Sequence, residues 1–132
     1  MLQQRKKDYL QRLIEEFFAK LQQLRQSQES ADKEEQKEII GDCLSFFQSH
    51  FGTKQSDTAA MIIEKIADAE LLEQYAKILL TKYEIVDLKE IDQLYIALDL
   101  VRYLEVYDKT YSWDRTILKE DLLRILDTPD EN

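Results

Sequence analysis

Few residues in this 132-residue chain have the type and spacing to do chemistry. Cys43 and His50 are its single cysteine and single histidine, seven positions apart. On one helix that spacing puts them on the same face but separates them by about 10 Å of rise. A thiol–imidazole pair needs hydrogen-bond reach, so these two cannot activate each other within that helix. Cys43 reads as a buried structural residue. A di-iron bundle needs a Glu-x-x-His motif from each of two helices, and one histidine cannot supply it. One Cys and one His also fall short of a zinc site. Carboxylates are close in sequence at Glu70/Glu73, Asp87/Glu90 and Glu120/Asp121. General acid–base work would need them in a water-poor pocket with shifted pKa values. Solvated surface charge and helix capping explain them more simply. Gly41 and Gly52 stand isolated, so no glycine-rich phosphate loop exists. The sequence points to no catalytic, metal or cofactor-binding residue.

What remains is aromatic. Tyr103, Tyr107 and Tyr111 recur at i, i+4 and i+8, with Trp113 just beyond. They line one edge near the end of a helix. Tyr and Trp bury a large area while keeping one polar handle, which suits contact with a partner. Two readings follow: ordinary core under the last helix, or a groove or self-association patch that accepts a helix or an extended peptide. With Phe18 on the first helix, these four are the candidate partner contacts.

The elements that must position them are helical. Asp87 followed by Glu90 predicts a capping-box start for a helix through Asp108. Ile91, Leu94, Tyr95, Leu98 and Val101 recur there at three- and four-residue steps, and Ile96, Leu100, Tyr103, Leu104 and Tyr107 widen the apolar surface. A helix apolar around most of its circumference belongs at the centre of a bundle. Before it, a first helix over about 4–26 carries the seam Leu10, Ile14, Phe17, Leu21 and Leu24, broadened by Tyr9, Leu13 and Phe18. The polar run from Ser27 leads to a second capping box, Asp32 with Glu35. Helix two, about 33–51, bears Ile39, Ile40, Cys43, Leu44, Phe46, Phe47 and Phe51. Gly41 within it would allow close approach of another helix, and Gly52 sits where a left-handed cap belongs. Ser56 or Asp57 should cap a short third helix. Asp68 should cap a fourth, running to about Ile85 and pairing with the next as a hairpin. After the loop 109–113, Ser112 or Asp114 caps the last helix, which Thr128-Pro129 stops before a frayed tail.

Composition agrees. Two glycines and one proline in a chain 34% charged leave few tight turns. The expectation is one all-α domain over 1–132, a bundle of five or six helices built from antiparallel hairpins. The single cysteine suits a reducing compartment, and no apolar run approaches the ~20 residues of a membrane span. A cytoplasmic protein without an integral membrane segment is expected. The formal charge of −9 argues against general nucleic-acid binding. The charge is uneven: residues 1–25 carry +3, leaving −12 for the rest.

Asp8-Tyr9-Leu10-Gln11-Arg12-Leu13-Ile14-Glu15 resembles the opening of a family of uncharacterised bacterial helical proteins, Asp-Tyr-Ile-x-Arg-x-Ile-Glu. Phe51-Gly52 is similar to that family's leucine-glycine break. Leu71 to Tyr83 is similar to its leucine- and alanine-rich helix. Tyr95-Ile96-Ala97-Leu98 resembles a step in its tetratricopeptide-like C-terminal hairpin. The resemblance implies an all-helical fold and a bacterial source and brings no activity with it. Self-similarity at a 34-residue period is not found.

Two functions are weighed from this reading. One is a non-catalytic interaction or scaffolding module that binds a protein partner or itself, as a homodimer through the first helix or the Tyr103–Trp113 edge. The other is a ligand-binding or enzymatic bundle with acidic side chains in an internal cavity. Inward carboxylates would favour the second; a dry core with exposed aromatics would favour the first.

Overall fold

The computed structural model describes residues 4–26 and 31–127, with the side chains of Ala31 and Asp32 excepted. Among them are six helices and no strand: α1 Gln4–Gln26, α2 Ala31–Phe51, α3 Ala59–Ile66, α4 Ala69–Ile85, α5 Ile91–Tyr107 and α6 Trp113–Asp127. The all-α expectation holds. No helix among the described residues is long and apolar enough to cross a membrane. Packing divides the chain into two compact units, residues 1–55 and 56–132.

The first unit is the α1/α2 pair. Leu10, Ile14 and Leu21 are buried along α1, at the positions its seam predicts. Leu13, Phe17, Phe18 and Leu24 are half-buried. Tyr9 is 56% exposed and does not join the seam. One residue before Leu10, it is turned about 100° around the helix from the stripe. On α2, Ile39, Ile40, Cys43 and Phe47 are buried. Phe17 meets Phe46 edge-on, with ring centroids 6.3 Å apart. Gly41 is exposed and a Cβ there would meet nothing within 4 Å, so it serves no close helix approach. Gly52 does take the left-handed conformation, at φ +74, and its amide donates to the Gln48 carbonyl at 2.8 Å. The expected capping by Asp32 lies outside the described side chains.

In the second unit α3, α4 and α6 all pack on α5. The cap of α3 is Thr58, whose hydroxyl accepts from the Met61 amide at 3.3 Å. Neither Ser56 nor Asp57 takes that role. Asp57 is buried instead, its carboxylate 2.7 Å from Lys65 Nζ. A carboxylate removed from water needs a charged partner, and this one has it. Ala67 closes α3 at φ 51, its amide donating to Ile63 O at 2.9 Å. Asp68 then caps α4 as expected, accepting from the Leu71 amide at 3.1 Å.

The most enclosed helix is α4 rather than α5. Nine of its residues are buried against six of α5. The core face of α5 is Leu94, Ala97, Leu98, Leu100, Val101 and Leu104, while Ile91, Tyr95, Val106 and Tyr107 stay exposed. Its start also differs from expectation. The N-cap position falls to Glu90 rather than Asp87, and Glu90 makes no side-chain cap bond there. Residues 86–90 are spent reversing the chain. There Lys89 Nζ donates to the Tyr83 carbonyl, one of the last-turn acceptors that α4 leaves without an intrahelical donor. Ser112 caps α6, accepting from the Arg115 amide at 3.1 Å. The proline stop and the tail lie outside the described residues.

Candidate functional site

Two chain reversals in the second unit create an open groove. The left-handed turn at Ala67 sets α3 against the start of α4, and the last turn of α5 runs alongside. The buried Leu72 and Leu104 lie deepest, with Ile63, Ala67 and Ala69 beside them. Tyr103 and Tyr107 line the α5 side, and Glu64, Asp68 and Asp108 bring three carboxylates. The volume is about 460 Å³. The tyrosine rings lie 4.7 Å apart at 35°, one helical turn between them.

Behind Asp108 is a polar cluster that fixes the end of the groove. Arg115 Nε donates to Glu73 Oε1 at 2.8 Å, and another guanidinium nitrogen donates to Asp108 Oδ2 at 2.7 Å. Ser112 Oγ donates to Glu73 Oε2 at 3.0 Å, so one hydroxyl caps α6 and ties it to α4. The Thr110 amide donates to Asp108 Oδ1 at 3.1 Å. Arg115 is only 8% exposed. Burial pulls its pKa down, but the hydrogen bonds it donates to Asp108 and Glu73, with their negative charges, outweigh that, and the net shift is upward. The bonds from Arg115 and the Thr110 amide hold the Asp108 carboxyl below its ordinary value, against the opposing effect of burial.

Of the sequence-derived candidates, Tyr103 is half-buried in the groove wall and Tyr107 is 70% exposed. Tyr111, in the stretch that joins α5 to α6, and Trp113, the first residue of α6, are 72% and 64% exposed. The aromatic edge is therefore surface rather than core beneath α6. Phe18 belongs to the first unit, half-buried on α1. Glu73 departs from the solvated role expected of it, since Arg115 and Ser112 bind both its oxygens. Asp121 does stay on the surface, 2.6 Å from Arg124. Nothing in the sequence singles out Arg115. Its partners are 42 and 7 residues away, and no local pattern links them. The one legible signal was Ser112 as a helix cap, which places residue 115 one turn inside α6.

Burial pushes the Cys43 thiol up to about 12, with Asp42 adding to the shift. A thiol so placed is a poor nucleophile. The His50 ring lies against Phe46, tilted by 52° with ring centroids 4.5 Å apart. Among the described residues no group of three His, Cys, Asp or Glu is placed to hold a metal.

Searches with the sequence and the structure found no matching family model, no matching curated protein and no matching solved structure.

Proposed function

We propose that the chain is a non-catalytic, helical protein-interaction module whose contact surface is the Tyr103–Trp113 edge of the second unit. The observation that carries this reading is the exposure of Tyr107, Tyr111 and Trp113, the first of which lines a groove. Three large aromatics left in water at one end of a helix pair mark a surface that another molecule covers. Rigid Tyr and Trp side chains are also the types that dominate binding energy at interfaces. The alternative, an acidic internal cavity, has the carboxylates of Glu64, Asp68 and Asp108 in its favour, but they line an open groove rather than an enclosed cavity, and Asp57, the carboxylate buried among the described residues, is paired with Lys65. The buried free Cys43 fits a reducing compartment such as the cytoplasm.

The test is affinity purification of the tagged full chain from its native cell, followed by mass spectrometry, beside a Tyr107→Ala/Trp113→Ala variant. A protein recovered with the unaltered chain and lost with the variant is the expected result. Identical recoveries sink the reading. Sedimentation equilibrium at micromolar concentration asks whether the partner is a second copy: a single species of 15.7 kDa assigns the edge to another protein.

A further inference from the structure

The groove beside that edge has a charge and shape that select its occupant. Glu64, Asp68 and Asp108 bring carboxylates to a site that also presents two tyrosine rings and a leucine floor. Arg115 pairs with Asp108, but its guanidinium is shared with Glu73, so that cluster of one cation and two carboxylates keeps a formal charge of −1. Asp68 and Asp108 are fixed from behind, one by the Leu71 amide and the other by Arg115 and Thr110. Fixed carboxylates lose little freedom when a cation arrives. The chain already seats a cation on tyrosine elsewhere: Lys89 Nζ lies 5.3 Å from the centroid of the Tyr83 ring. A groove of about 460 Å³ exceeds the volume of one long side chain and leaves room for its neighbours in the partner.

We infer that this groove binds a basic segment of a protein partner, with an arginine or lysine side chain lodged between the tyrosines and the carboxylates. A guanidinium is suited to both walls, since it stacks on aromatic faces and bonds carboxylates in a forked geometry. The second unit is itself acidic, residues 56–132 carrying a formal −9, and this field steers such a segment toward it. This inference rests on the interaction reading above and adds the chemical class of the partner.

The experiment uses the full chain, ¹⁵N-labelled, and two synthetic amphipathic peptides of equal length and equal leucine content. One carries arginine at its polar positions and the other glutamine. The expected result is that the arginine peptide shifts the amide signals of Glu64, Ala67, Asp68, Tyr103 and Tyr107, and the glutamine peptide binds at least tenfold more weakly. The Glu64→Gln/Asp68→Asn variant, which keeps an N-cap acceptor at position 68, should weaken the arginine peptide by about tenfold. Equal binding of both peptides at the groove overturns the basic class and leaves the interaction reading standing. Arginine-peptide shifts scattered over the acidic surface, or none at all, overturn the groove as its site. The interaction reading then falls only if the Tyr107→Ala/Trp113→Ala purification also shows no difference.

Discussion

Arg115 donates to Glu73 at 2.8 Å across 42 residues of sequence, and this contact fastens the first turn of α6 to α4. The same guanidinium reaches Asp108 at the end of α5. Three helix ends therefore meet on one planar cation. Removing it strands two largely buried carboxylates, which costs more than the pair contributes when intact. Arg115→Ala should lower unfolding stability by about 2–4 kcal/mol in urea titration. Arg115→Lys should restore only part of that, because an ammonium cannot present the same fork. Full recovery in the lysine variant would show that charge alone matters there.

Acid should weaken this junction. The folded-state pKa of Asp108 is depressed, so its contribution is fully present above the ordinary carboxylate pKa and is lost as pH falls toward the lower folded value. The informative quantity is the stability difference between the natural chain and Asp108→Asn. It should be largest near pH 6–7 and shrink steadily below about pH 5. A difference that stays constant down to pH 3 would assign the bond's strength to geometry rather than ionisation.

Backbone positions offer a paired test. Gly41 lies mid-helix with open space where a Cβ would go. Gly41→Ala should stabilise by about 1 kcal/mol. Gly52 sits at φ +74, and Gly52→Ala should destabilise by about 1 kcal/mol although its Cβ would also be unobstructed. Ala67 has the left-handed conformation without being glycine, at φ 51. Ala67→Gly should gain about 0.5–1 kcal/mol. Thermal melts of the three variants check the signs, and the same sign at both glycines would defeat the argument.

What was legible follows from range. Helix periods are local, so α1, α4 and α6 lie close to where the apolar spacing puts them, and the caps Asp68 and Ser112 act within three residues. Acidic side chains are harder to assign, since each can cap, pair or face water. Asp57 pairs with Lys65 where a cap was expected, and Thr58 caps instead. The Asp87–Glu90 spacing matched a capping box but fell in the reversal between α4 and α5. The aromatic edge was visible as a pattern at i, i+4 and i+8. Whether it faced core or water depended on which side of α5 its neighbours cover, and that is a tertiary fact.

The centre of the second unit should answer to packing alone. Leu98 is 4% exposed on α5, the helix against which α3, α4 and α6 all pack. Leu98→Ala removes contacts from that shared face and leaves a cavity, at a cost of about 2–5 kcal/mol. Urea denaturation measures it, and a loss under about 1 kcal/mol would mean that the site collapses freely.

Cys43 supplies a probe of the first unit. Its thiol is 1% exposed and pushed up to about 12, so at pH 8 little thiolate exists and little reagent can reach it. Only the thiolate attacks iodoacetamide. The folded chain should therefore alkylate far more slowly than a free thiol, and the rate should rise with urea as α2 opens. If modification follows opening, its urea dependence reports the stability of that region separately from the second unit. Two transitions with different midpoints, one from alkylation and one from an Arg115-sensitive signal, would show the two units unfolding independently. Coincident midpoints would show a single cooperative transition. Rapid labelling without denaturant would contradict the burial of Cys43.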